Sequence, residues 1–202
     1  MADALVSDQH LHGPDDPRQG RFLRWLASLE ADRLFVLGDL FEFYWKHPTP
    51  GQLPVVQALL AFPGELVLLR GNHDFTPCDR LAVFTHDRWE GDIAGERTLL
   101  VHGDEADPAL GYRALKAVVR SPLAQRAPSS WAHRVAAKAG PASREHGMNP
   151  GLLDQQRRWA QAQPHPRVIM GHSHQRTMES GFVVLGVDTW LEADEGLRFR
   201  EF

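Results

Sequence analysis

Five short stretches of this sequence carry side chains that could act together: Asp8-Gln9-His10, Gly38-Asp39, Gly71-Asn72-His73-Asp74, His102-Gly103-Asp104 and Gly171-His172-Ser173-His174. Between them they offer three oxygen donors (Asp8, Asp39, Asn72) and four imidazoles (His10, His102, His172, His174). One divalent ion takes about four to six ligands, so a mixed set of this size fits two ions that share a carboxylate. The set contains no thiolate, which allows Mn²⁺, Fe²⁺ or Zn²⁺, with Mn²⁺ favoured. Each stretch alone has an ordinary structural explanation. Asp-x-His can be a hydrogen-bonded pair, Gly-Asn-His-Asp a turn, and His-x-His a satisfied pair on a strand. Their conjunction, in this order along one chain, points to a dinuclear metal site.

The elements that must position these residues are legible from hydropathy. Ala4-Leu5-Val6, Leu34-Phe35-Val36-Leu37, Leu66-Val67-Leu68-Leu69, Leu99-Leu100-Val101 and Val168-Ile169-Met170 are too short for helices and read as buried strands. Phe22, Trp25, Leu26 and Leu29 share a face of a helix over about residues 18–31, and Val55, Val56, Leu59 and Leu60 do so over about 53–62. Strands alternating with helices predict an α/β protein with parallel pairing. Residues 177–187 and 196–201 read as closing antiparallel strands, with a turn at Glu179-Ser180-Gly181. Every candidate donor falls just past the end of a predicted strand. Ligand crevices in open α/β sheets lie at those ends, and residues two apart on an extended segment point the same way.

His10 to Asp39 is 29 residues, Asp39 to Asn72 is 33 and Asn72 to His102 is 30, each the span of a strand–helix–strand unit. His102 to His172 is 70. The surplus lies in a segment over about 104–166 that reads as a helical insertion within a single domain, residues 1–202. Between Gly111 and Arg144 it holds seven basic residues (Arg113, Lys116, Arg120, Arg126, Arg134, Lys138, Arg144) and no acidic one, on a chain of net charge −4. Apolar stripes (Leu115, Val118, Val119; Trp131, Val135, Ala139) alternate with those cations. A basic block on an acidic chain suits an anionic partner or, equally, a solvated helix face. No apolar run approaches the roughly 18 residues of a spanning helix, and nothing near Met1 reads as a secretion signal. Cys78, the single cysteine, has no partner for a disulfide. The expected location is the cytoplasm.

The five motifs, in order, resemble those of the calcineurin-like metallophosphoesterases, over about residues 4–190. The resemblance implies a two-sheet β-sandwich flanked by helices. It also implies one ion held by Asp8, His10 and His174, a second by Asn72, His102 and His172, and Asp39 bridging both. His73 is then the group that stabilises developing charge or protonates the leaving oxygen, oriented by Asp74.

One branch is resembled more closely: the UDP-2,3-diacylglucosamine pyrophosphohydrolases of lipid A synthesis. The residues that carry this are Gly38-Asp39-Leu40-Phe41-Glu42, Gly111-Tyr112-Arg113 after the His-Gly-Asp motif, and Ala142-Ser143-Arg144-Glu145. The branch cleaves a lipid-linked pyrophosphate to UMP and diacylglucosamine 1-phosphate. The implied substrate contacts are Asn72, His73, Arg113, Ser143, Arg144 and His172, under a helical lid formed by the insertion. Peripheral contact with the cytoplasmic face of the inner membrane follows from the same resemblance. His73 stands where the best-known members of the branch carry Arg. The alternative substrate is a nucleotide or another small phosphodiester. Nucleic acid is not an expected partner, and steep salt dependence of its binding would indicate otherwise. A protein phosphatase is disfavoured because the Asp39 motif lacks the Asp-Arg-Gly of those enzymes. A non-catalytic scaffold would be expected to have lost ligands, and all seven are present.

Overall fold

The computed structural model describes residues 1–74, 80–107, 117, 118, 121, 126 and 150–202. Each of the five apolar runs forms a strand. In the first sheet β1 (Asp3–Val6), β2 (Arg33–Val36), β3 (Glu65–Leu69) and the two-residue β4 (Thr85–His86) run parallel. In the second sheet β5 (Arg88–Ile93) pairs antiparallel with β6 (Glu96–Val101), and β6 lies parallel to β7 (Arg167–Met170). A hairpin of β8 (Thr177–Glu179) and β9 (Phe182–Val184) completes it, β9 pairing parallel with β7. The chain then returns to the first sheet, where β10 (Thr189–Ala193) pairs antiparallel with β1 and β11 (Leu197–Glu201) with β10. Helices α1 (Pro17–Ser28), α2 (Leu53–Leu60) and α3 (Pro150–Gln161) lie outside the sheets. The result is the two-sheet sandwich flanked by helices that the motifs imply.

The period-2 alternation of strand side chains explains why the runs are apolar throughout. Ala4, Val6, Leu34, Val36, Leu66 and Leu68 face outward and pack with Phe22 and Leu26 of α1 and Val55, Val56 and Leu59 of α2. The alternate residues Leu5, Phe35, Leu37, Val67 and Leu69 face inward against Leu100, Ile169 and Val183 of the second sheet. Leu99, Val101, Val168, Met170, Phe182 and Val184 cover the far side of that sheet, under Ala160, Leu153 and Trp159 of α3. The central strands β1, β2, β3, β6 and β7 are therefore buried on both faces, and only a continuous apolar run satisfies a strand there.

The helices start and end near their expected bounds. Asp16 caps α1, its carboxylate accepting the Arg18 N–H at 3.0 Å, and Pro17 occupies the first turn. Three strands depart from the sequence reading, the two-residue β4 among them. β5 reads Arg-Trp-Glu-Gly-Asp-Ile, and most of it is exposed or half-exposed at a sheet edge, so it carries no apolar run. β10 alternates buried and half-buried residues beyond the range read as strand. The segment over 104–166 is core at its far end, because α3 packs on the second sheet.

Candidate metal centre

The candidate donors come from both sheets. Asp8 and His10 follow β1, Asp39 follows β2, and Asn72, His73 and Asp74 follow β3; His102 follows β6, and His172 and His174 follow β7. Five of the seven donors sit at positive φ: Asp8 (55°), His10 (46°), Asp39 (52°), His172 (71°) and His174 (53°). For an L-residue that conformation costs about 1–2 kcal/mol, so the surroundings must enforce it. Hydrogen bonds between the strand ends do so. Asp8 N–H donates to the Gly38 carbonyl (3.1 Å) and His10 N–H to the Asp39 carbonyl (3.0 Å). His73 N–H donates to Asp39 Oδ1 (2.8 Å) and His172 N–H to Asp8 Oδ2 (2.9 Å). Gly71 is required by close approach: a Cβ there would fall on Asp39 Oδ1 and the Asp39 amide.

The free ends of the side chains converge in two groups. In one, His10 Nε2 lies 3.1 Å from His174 Nε2, and His174 Nε2 lies 3.5 Å from Asp8 Oδ1, a buried oxygen with no hydrogen-bond donor among the described residues. In the other, Asn72 Oδ1 lies 2.9 Å from His102 Nε2 and 2.8 Å from His172 Nδ1. Asp39 Oδ2 stands 3.4 Å from His102 Nε2 and 4.0 Å from His73 Nε2. Donors bonded at about 2.1 Å to one ion lie roughly 3.0–3.4 Å apart at tetrahedral or octahedral angles, so these separations suit a shared cation. Ligand atoms of Asp8, His10 and His174, of Asp8, Asp39 and His102, and of His10, Asp39 and His73 each fall within 4.8 Å of one another.

Second contacts decide which ring nitrogen faces inward. His102 Nδ1 is 2.7 Å from the Leu37 carbonyl, which can only accept, so Nδ1 carries a proton. Its Nε2 then faces two oxygens, Asn72 Oδ1 and Asp39 Oδ2, and either a second proton or a cation must stand between them. His10 presents Nδ1 to Glu42 Oε2 at 3.3 Å, and His172 presents Nε2 to Asp107 Oδ2 at 3.7 Å. These are charge contacts, the second too long for a hydrogen bond, and they place a carboxylate behind each ring.

The protonation energetics have the same origin. Burial would raise Asp39, yet the His102 and His73 rings hold it well below the usual carboxylate range. Burial would lower His102, but the Asp39 charge and hydrogen bond push it well above 6.5. His10 is raised against its burial by the Glu42 hydrogen bond and by Asp39 and Asp8. His174 is lowered, chiefly by burial. Burial, then the Asp39 charge, raises Asp74.

The structure brings the seven donors and His73 together. Asp74 differs from its expected part. Its Oδ2 accepts the N–H groups of Asp39 (2.9 Å) and Gly71 (3.0 Å), whereas the His73 ring is held by the Glu42 main-chain carbonyl at 2.7 Å from Nδ1. Asp74 thus shapes the backbone that carries Asp39. Arg113, Ser143 and Arg144 lie outside the described residues; of the basic block only Arg126 is described, and it is exposed, as is Val118. Glu42 and Asp107 are additions to the expected set. The sequence offered one cue for Glu42, an acid three residues after Asp39. It offered none for Asp107, whose place depends on the turn after His102.

The sequence profile of the calcineurin-like phosphoesterases matches residues 4–176, which contain all seven donors. The chain belongs to this family. Among curated relatives it is similar to the UDP-2,3-diacylglucosamine hydrolase of Salmonella agona, 31% identical over 140 residues, or 62% of this chain and 58% of the relative. The Klebsiella pneumoniae protein of the same name is 30% identical over 155 residues, covering 68% of this chain and 65% of that one. The matched region thus spans about 58–65% of the length of these relatives. Among solved structures, Vacuolar Protein Sorting 29 from Cryptosporidium parvum superposes with a TM-score of 0.54 at 15% identity, over 100% of this chain and 91% of that one. A protein of unknown function from Aquifex aeolicus gives 0.50 at 18% identity, over 92% and 88%. These likenesses show the shared sandwich fold. No helix among the described residues is long and apolar enough to cross a membrane.

Proposed function

We propose that this calcineurin-like phosphoesterase is a dinuclear-metal hydrolase that cleaves the pyrophosphate of UDP-2,3-diacylglucosamine to UMP and 2,3-diacylglucosamine 1-phosphate. One observation supports the metal chemistry: His102, with Nδ1–H committed to the Leu37 carbonyl, aims Nε2 at Asn72 Oδ1 and Asp39 Oδ2, a place that a proton fills in the metal-free form and a cation can take over. Asp8, His10 and His174 would hold one ion, Asn72, His102 and His172 the other, and Asp39 both. The nitrogen and oxygen ligands admit Mn²⁺, Fe²⁺ or Zn²⁺, and Mn²⁺ is the ion proposed. When bound, such a pair supplies Lewis acidity, polarising a phosphoryl oxygen and lowering the pKa of a water toward neutrality.

The chain's own residues do the rest. His73, with Nδ1 on the Glu42 carbonyl, keeps Nε2 beside Asp39, where it can donate to developing charge or to the leaving oxygen. Asn72 and His172 border the same space and contact the phosphoryl group. Arg113, Ser143 and Arg144 contribute the remaining head-group contacts, and the stripes of the insertion receive acyl chains. The curated relatives of that name support this substrate. Its lipid character supports peripheral contact at the cytoplasmic membrane face.

The test is to assay the Mn²⁺-loaded protein side by side on the UDP-lipid, a dinucleotide and bis-p-nitrophenyl phosphate, with Asp39→Asn as the inactive control. Preferred turnover of the UDP-lipid is expected. Preference for the dinucleotide would move the substrate to the nucleotide class. Normal turnover and metal content in Asp39→Asn would overturn the dinuclear site.

A further inference from the structure

Gln156 occupies the middle of the buried face of α3, one turn from Leu152 and one from Ala160, and is itself fully buried. An amide in such a row is costly unless it is hydrogen-bonded. Its Nε2 donates to the Gly171 carbonyl at 2.8 Å. The carbonyl can only accept, so the amide orientation is forced, and Oε1 is left buried with no partner among the described residues. A leucine of similar size would avoid that cost. What the glutamine contributes is the bond to Gly171.

Gly171 opens the turn that carries His172 and His174, both at positive φ. A Cβ on Gly171 would fall on Ser7 Oγ and Asp8 Oδ2, so the turn is pressed against the end of β1. Among the described residues four hydrogen bonds hold its backbone. Gly171 N–H donates to the His102 carbonyl (2.8 Å), His172 N–H to Asp8 Oδ2 (2.9 Å), and Ser173 N–H back to the Gly171 carbonyl (2.9 Å). The fourth is the Gln156 bond. The first two come from candidate ligands and the third from within the turn. Gln156 alone of these ties reaches the turn from an element outside the site. It also touches the neighbouring strand end, because a Cβ on Gly103 would lie 2.6 Å from Gln156 Nε2.

We propose that Gln156 is a positioning residue, which holds the Gly171–His174 turn, and through it His172 and His174, in the geometry that takes up metal. The inference rests on the metal-binding reading above. Metal-free full-length protein and its Gln156→Leu and Gln156→Met variants would be titrated with Mn²⁺ by calorimetry, alongside circular dichroism and thermal melting of the metal-free forms. Asp154→Ala, which removes an exposed ion pair with Arg157 on the same helix, is the control. Both Gln156 variants should keep their fold while Mn²⁺ affinity falls about 10–100-fold, the usual effect of losing an outer partner at a metal site. The control should bind like the parent. Parent-like affinity in the Gln156 variants, with or without a lower melting temperature, overturns the inference, as does failure of both to fold. A parent that takes up no Mn²⁺ overturns the metal reading itself, and this inference with it.

Discussion

His73 is held at its backbone amide by Asp39 Oδ1 and at its ring by the Glu42 carbonyl, so its orientation does not depend on a bound ion. His73→Ala should therefore leave metal content unchanged and lower turnover by roughly 10²–10⁴-fold, the contribution of one acid–base or charge-stabilising group. Metal analysis together with kcat on bis-p-nitrophenyl phosphate checks this. Loss of an ion would instead make His73 a ligand, for which its place within 4.8 Å of His10 and Asp39 provides the geometry. His102 sets a pH dependence. Its proton must leave before Nε2 can ligate, and Asp39 holds that proton above the ordinary 6.5. Mn²⁺ affinity should fall, and proton release per ion bound should rise, as pH is lowered through the raised value. The metal-free fold responds with the opposite sign. A raised histidine contributes stability that is complete below about 6.5 and lost as pH climbs through the folded value. Melting curves of metal-free protein across that window should show the loss, and a flat profile would remove the His102–Asp39 pair from the account.

Strand ends, more than strands, are what this family's chemistry demands, and the close backbone approach at Gly71 illustrates it. Gly71→Ala would drive a methyl into Asp39 Oδ1 and the Asp39 amide, which cannot yield without moving the carboxylate. The variant should lose about 1–3 kcal/mol of stability from overpacking and bind little metal, as read from melting and metal content. An alanine with parent-like metal content would show that the β2 and β3 ends have slack. Elements of this kind were legible in proportion to their burial. β1, β2, β3, β6 and β7 are covered on both faces and announced themselves as continuous apolar runs. β5, exposed along much of its length, carries no such run. The donors were legible because each follows one of the readable strands. What could not be read was their second layer. Which nitrogen of His102 faces inward depends on the Leu37 carbonyl, 65 residues away, and Asp74 turned out to serve the amides of Asp39 and Gly71. Gln156 left a trace, a polar residue at i+4 between Leu152 and Ala160, which reads as a flaw in a stripe until its partner is seen.

At the scale of the whole molecule the basic, apolar-striped insertion is the part that could tell one phosphoester from another. Replacing residues 111–144 with a short Gly/Ser linker removes no proposed ligand. Metal content should persist, and so should hydrolysis of bis-p-nitrophenyl phosphate, while activity on the acylated UDP-sugar collapses. Equal loss on both substrates would make the segment a general support for the site, and undiminished lipid hydrolysis would end its role as a lid. The layout of the first sheet has a consequence in time. β1 lies between β2 and β10, so on one side it pairs with a strand that follows it by more than 180 residues. Asp8 and His174, candidate ligands of one ion, stand 166 residues apart in sequence. A ribosome adding about 5–20 residues per second would therefore leave the first ligands waiting some ten to thirty seconds for their partners. During that interval Asp8 and His10 can offer a passing cation only a fragment of a site. Selection among the cell's metals then falls to the fold in which the ends of β1 and β7 have met.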